Sequence, residues 1–250
     1  MDQNLLDYTL HLADNALIMG HRLSEWTGHG PTIEQDIAIT NIALDLIGQS
    51  RNFYQYAALL TGKETEDTLA YLRDSRAFKN LLIAEIPNGD WATTITKLFF
   101  FSTYHFYLYQ QMISSADTQL AAIAEKSLKE VTYHVRWSGD WVIRLGDGTE
   151  ESRARMEKAV ENTWSLTGEM FEPAVYEKSL AENRIGVDVS KLRKAWLKNA
   201  GTVFEEATLV TPDDKIWMQS GGKTGIHSEA LGYILAEMQY LQRAYPGCEW

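Results

Sequence analysis

The chain of 250 residues contains one cysteine, Cys248. A lone thiol cannot close an internal disulfide, which excludes a disulfide-stapled fold and fits a reducing cytoplasm. Long apolar runs are missing too: nothing approaches the roughly 18 uninterrupted apolar residues that suggest a membrane-spanning helix. The opening stretch "MDQNLLDYTLHLADNAL" has an early acid and no basic segment ahead of an apolar core, so it does not read as a secretory signal. Basic charge is scarce, with 23 Lys and Arg against 34 Asp and Glu and a formal charge of −11. Without a Lys/Arg run, nonspecific nucleic-acid binding is excluded, and an anionic ligand would need a local basic pocket. No segment alternates apolar and polar residues for long enough to predict a strand. The expectation is an all-α, soluble, cytoplasmic protein with no nucleic-acid or membrane partner.

Hydrophobic residues make up 45% of the chain and charged residues 23%, as in an ordinary globular protein, and the length suits one domain over residues 1–250. The periodicity predicts a first helix from about residue 3 to Trp26, stopped by "GHGP". "TIEQ" from Thr32 offers a capping box for a second helix to about Gly62. "PNGD" at 87–90 reads as a turn before a third helix from Asp90 to about Ser115, and Asp117 caps a fourth that ends at "GDG", 146–148. Four long helices joined by turns predict a four-helix bundle. Further helices follow at about 150–171, 190–208 and up to Tyr245, the last behind "SGGKTG". That loop resembles a phosphate cradle, but position 217, where a P-loop needs glycine, is Trp, so a turn before a helix is the better reading.

Chemistry-bearing residues fall on three of the long helices. In the fourth, "KEVTYH" places His134 three residues after Val131 and four after Glu130, whereas a di-iron bundle uses Glu-x-x-His. An inward stripe of Ala124, Leu128, Val131, Val135, Val142 and Leu145 turns Val131 to the core, with Glu130 and His134 at its edge. In the second helix Asn41, Asp45, Gly48 and Asn52 make a polar stripe, which if buried must find partners. The third helix, "TKLFFFSTYHFYLYQQM", is aromatic on all sides. It must be enclosed by its own chain, by another subunit, or by both.

"HRLSEWTGHGP", "NIALDLIGQSRNF", "LKEVTYHVRW" and "LAEMQYLQR" together resemble the PaaC family, a ferritin-like component of the ring-epoxidising phenylacetyl-CoA monooxygenase, over nearly the whole chain. The resemblance implies a ferritin-like four-helix bundle with additional C-terminal helices. It also implies a noncatalytic subunit that supports a homologous catalytic di-iron subunit, beside a small bridging subunit and a reductase carrying FAD and an iron–sulfur cluster and using NADPH. Carried over residue by residue, the di-iron ligand positions fall on Glu25, Asp45, Gly48, Ser102, Val131 and His134. Only Glu25, Asp45 and His134 could still ligate, so the set reads as vestigial, with no metal, no other cofactor and no catalytic residue expected in this chain. The alternatives are an active di-iron oxygenase that acts on an aromatic acyl-CoA, with Glu130 reaching inward, and a ferritin-like binding protein. One basic stretch, "RDSRAFKN", puts Arg73, Arg76 and Lys79 at i, i+3 and i+6 beside Phe78 and Asn80, a candidate site for the phosphates of phenylacetyl-CoA. The blander reading of it is surface charge paired with Asp74 or Glu85.

Overall fold

The computed structural model describes residues 2–213 and 216–248. In chain order the helices are α1 (Gln3–Ser24), α2 (Ile33–Thr61), α3 (Glu66–Tyr71), α4 (Leu82–Glu85), α5 (Trp91–Met112), α6 (Thr118–Gly146), α7 (Glu150–Trp164), α8 (Gly168–Phe171), α9 (Val175–Glu182), α10 (Arg193–Glu206), α11 (Glu229–Met238) and α12 (Tyr240–Ala244). No strand occurs among the described residues. The fold class is the all-α, ferritin-like helical type that the periodicity and the resemblance predict. The residues gather into two compact units, Met1–Pro87 with Gly221–Trp250, and Asn88–Ser220.

In the first unit α1 and α2 form an antiparallel pair. A Cβ added at Gly20 would lie 3.0 Å from Ile47 Cδ1 and 3.3 Å from the Ala43 carbonyl oxygen, so the glycine lets the two backbones approach. Residues 8–20 of α1 are buried without a break, which traps the polar His11, Asp14 and Asn15 inside. Thr32 stands at the N-cap of α2, but its side chain makes no capping bond and its hydroxyl donates to Glu34 instead, 3.0 Å away; the predicted capping box is absent. Between α3 and α4 the chain makes one 3-10 turn, Ser75–Ala77, flanked by extended residues at Asp74 and Phe78. The predicted final helix breaks at Gln239 into α11 and α12.

In the second unit Asp90 and Asp117 cap α5 and α6 as predicted, accepting from the backbone N–H groups of Thr93 and Leu120 at 2.9 Å each. Phe100 stacks with Trp164, Trp196 and Phe204 at centroid separations of 5.6, 5.3 and 6.0 Å, and the Trp196 indole donates to the Phe100 carbonyl at 3.1 Å. Phe99, Phe100, Phe101, Tyr104 and Tyr109 are all 1% exposed or less in the single chain. The expected share of another subunit in covering α5 is therefore not needed for these rings. The buried stripe of α6 is also rotated from the predicted one. Ala124, Val131 and Val142 are buried, but Leu128, Val135 and Leu145 are half-buried, and Ser127, His134 and Ser138 complete the buried face.

Candidate functional site

Of the carried-over metal positions in the first unit, Glu25 is not an inward ligand. It lies at the C-cap of α1 with its side chain 48% exposed, and Arg22 donates to its Oε1 at 2.7 Å. Asp45, Gly48 and Asn52 are half-buried and Asn41 is exposed, so the polar stripe of α2 is largely wetted and its groups are not forced to find buried partners. A Cβ at Gly48 would meet nothing within 4 Å. In the second unit Ser102, Val131 and His134 are buried at 2%, 1% and 0% exposure. Glu130 is half-buried, and burial together with its negative charge drives the Tyr109 hydroxyl pKa up.

The donor set does not fit a di-iron centre. Glycine and valine have no ligating atom, serine is a poor substitute for carboxylate or imidazole, and Glu25 already serves an arginine. Among the described residues no group of three or more His, Cys, Asp or Glu side chains is placed to hold a metal ion.

The densest polar constellation lies elsewhere in the first unit, where α1 stitches down the segment after α3. Asp14 has no exposed side-chain surface, and it accepts from the Tyr54 hydroxyl at 2.5 Å, from the Lys79 N–H at 2.8 Å and from both NH groups of Arg73. Burial opposes the charge on Arg73, but Asp14 and Tyr54 outweigh it and raise its pKa. His11 Nδ1 donates to the Lys79 carbonyl at 2.7 Å, which leaves Nε2 to accept from Asn15 at 3.2 Å. Burial, reinforced by the nearby Lys223, lowers the His11 pKa to about 3, so the ring is neutral as that geometry requires. Asn15 Oδ1 accepts from the Leu81 N–H at 2.7 Å. The backbone of residues 79–81 is thus held as a strand would be, with side chains of one helix supplying the partners.

A second knot ties the C-terminal segment to the same stretch. Glu85, fully buried, accepts from Asn80 Nδ2 at 2.8 Å, from the Ser228 N–H at 2.6 Å and from His227 Nδ1 at 2.7 Å. His227 Nε2 meets the Phe78 carbonyl at 2.9 Å. Both ring nitrogens face acceptors, so the His227–Glu85 pair must carry two protons between them. Burial pulls the His227 pKa down, yet the Glu85 carboxylate and the Phe78 carbonyl overcome it and leave the value raised.

The five residues of "RDSRAFKN" do not share a face, because the segment is not a helix. Arg73 is spent on Asp14, with its guanidinium carbon 4.2 Å from the ring centre of the buried Phe78. Asn80 is fully buried, and half-buried Lys79 lies 3.6 Å from Asp7. Arg76 is exposed and lines a groove of about 570 Å³ with Thr224, His227, Ser228 and Glu229. The "SGGKTG" loop closes this groove by tight packing. A Cβ would stand 2.2 Å from the Asn80 carbonyl oxygen at Gly222 and 2.2 Å from that of Arg76 at Gly225, which also has a φ of +80°. Its glycines serve packing and turn geometry, as the turn reading predicts. The buried knots went unread in the sequence, although His11, Asp14 and Asn15 at i, i+3 and i+4 in "LHLADNAL" were a visible polar stripe in an apolar helix.

The family described as phenylacetic acid catabolic protein matches residues 1–250. The chain is 47% identical, over 98% of its own length and 99% of the relative's, to the C subunit of the 1,2-phenylacetyl-CoA epoxidase of Escherichia coli (strain K12). With a match over the full length and that degree of identity to a named member, the chain belongs to the phenylacetic acid catabolic protein family.

Proposed function

We propose that this chain is a structural, noncatalytic subunit of a multicomponent phenylacetyl-CoA ring epoxidase, acting in the cytoplasm in aerobic phenylacetate degradation. The observation that carries the reading is the donor set: Gly48 and Val131 bring no ligand and Glu25 is turned outward to Arg22. Identity of 47% to a protein named as one of the subunits of such an enzyme supports the assignment to the complex. On this reading the chain holds no cofactor. The di-iron site belongs to a homologous catalytic subunit that this chain stabilises, FAD, the iron–sulfur cluster and NADPH belong to a reductase, and the assembly is completed by a small bridging subunit. Co-expression with the homologous di-iron subunit should yield a stoichiometric complex, with the catalytic subunit unstable or inactive when made alone. Purified alone and loaded anaerobically with ferrous iron, the chain should retain no stoichiometric iron and show no turnover. About two irons per chain with oxygen-dependent activity would replace this reading with that of an active oxygenase.

A second reading concerns the acyl-CoA. Arg76 is the member of the basic stretch that combines exposure with a groove, and Ser228 beside it offers a hydroxyl donor to a phosphate. Arg76→Ala in the assembled complex should then raise KM for the CoA substrate several-fold with assembly intact. An unchanged KM removes the groove from substrate binding.

A further inference from the structure

α2 presents a run of exposed side chains along one face. Ile33, Ile37, Leu44 and Leu59 are 76%, 56%, 63% and 78% exposed. Asn41, Arg51 and Gln55 are exposed as well, and the run 37, 41, 44, 48, 51, 55, 59 advances by threes and fours, so it is a single stripe along the helix. It lies opposite the buried Ile39, Ile42, Leu46, Gln49, Phe53 and Ala57. Exposed apolar side chains scattered singly are ordinary, but Ile37, Leu44 and Leu59 recur on one stripe about 33 Å long, with Ile33 one step before it. At its middle sits Gly48, where a Cβ would meet nothing within 4 Å, so nothing among the described residues asks for a glycine in the centre of a 29-residue helix. A glycine there costs about 1 kcal/mol against alanine, and a close approach from outside would account for it.

The stripe is also close to palindromic about that glycine. We propose that α2 pairs antiparallel with α2 of a second copy of this chain, the helices crossing at Gly48. Reversed about the crossing, Ile37 lies on Leu59 of the other copy and Asn41 faces Gln55, amide to amide. On the flank shared in an antiparallel pair, Asp45 meets Asn52, while Leu44 packs along the aliphatic stem of Arg51. Glu34, at the start of the helix, comes opposite the exposed Lys63 just past its end, and the two-fold axis makes each of these contacts twice. No like charges are opposed. Both the apolar pattern and the charge pattern therefore fit a second copy. The inference is independent of whether the chain is catalytic.

The full-length chain, purified by itself, provides the test. Wild type should sediment as a dimer, and Leu44→Arg, which sets two arginines against each other across the axis, should weaken it at least tenfold with unchanged helical circular dichroism. Leu44 is solvent-exposed, so that variant has no reason to misfold. Gly48→Cys, combined with Cys248→Ser to leave one thiol, should oxidise to a disulfide-linked dimer in high yield. A wild-type chain that is monomeric at all concentrations overturns the proposal. So does a dimer indifferent to Leu44→Arg, or an absence of cross-linking at position 48.

Discussion

Asp14 illustrates what a buried charge requires at the scale of one residue. Its side chain has no exposed surface, and its stability in the fold depends on Arg73, Tyr54 and the Lys79 amide acting together. Arg73→Ala should destabilise the chain by about 3 kcal/mol in denaturant titration, the range for stripping one partner from a buried ion pair. Asp14→Asn with Arg73→Met should recover much of that, since no unpaired charge then remains. The two buried histidines give opposite pH signatures. His227 has a raised folded pKa, so its contribution is complete below the ordinary value of about 6.5 and is lost as pH rises through the folded value. His11 is depressed to about 3, so its contribution is complete above about 6.5 and is lost as pH falls toward 3. His227→Gln should therefore flatten the alkaline limb of the stability profile and His11→Asn the acid limb. An alkaline limb unchanged by His227→Gln would show that the Glu85 knot carries no titrating proton.

At the scale of the helix, two glycines in the second unit separate packing from propensity. A Cβ at Gly146, the end of α6, would sit 2.4 Å from the Ala207 carbonyl oxygen, and backbone cannot yield as a side-chain tip can. Gly146→Ala should cost about 2 kcal/mol or more by overpacking. At Gly201, within α10, a Cβ meets nothing within 4 Å, so Gly201→Ala should stabilise by about 0.5–1 kcal/mol through helix propensity and a less flexible unfolded chain. Thermal melts of the two variants should shift in opposite directions, and shifts of the same sign would mean that the approach of Ala207 to α6 is not maintained. Caps were legible from single residues, as Asp90 and Asp117 show, because the capping bond is local. Thr32 departs from that rule: its hydroxyl donates to Glu34 and accepts no backbone N–H. The buried face of α6 is rotated by part of a turn from its apolar stripe, since Ser127, His134 and Ser138 pack inward there and hydrophobicity alone does not place them.

For the molecule as a whole, we propose that residues 1–250 behave as one domain although their contacts gather in two units. Chemical denaturation followed by both tryptophan fluorescence and far-ultraviolet circular dichroism should then give coincident single transitions. Two resolved transitions would mark separate domains. Membership of a phenylacetic acid catabolic family was readable along the chain from motifs such as "NIALDLIGQSRNF", and so was the lack of a ligating side chain at Gly48 and Val131, since both are properties of the sequence. The helical class was equally plain, because a periodicity near 3.6 and the absence of alternation are local patterns.

Whether Glu25 faces in or out, and whether Arg73 is a phosphate ligand or a staple, could not be read that way. Each depends on a residue far along the sequence or on the local path of the backbone. Arg73 is claimed by Asp14, 59 positions away, and Glu85 by His227, 142 positions away. Residues 73–80 carry a helix-like spacing of charge but make one 3-10 turn between extended residues at Asp74 and Phe78, held there by side chains of α1. Sequence by itself determined the composition of this protein, its four long helices and the absence of ligating atoms at Gly48 and Val131. Only the tertiary structure decided which charges were left for solvent and which were consumed inside, because a buried charge is satisfied by whichever partner the fold delivers.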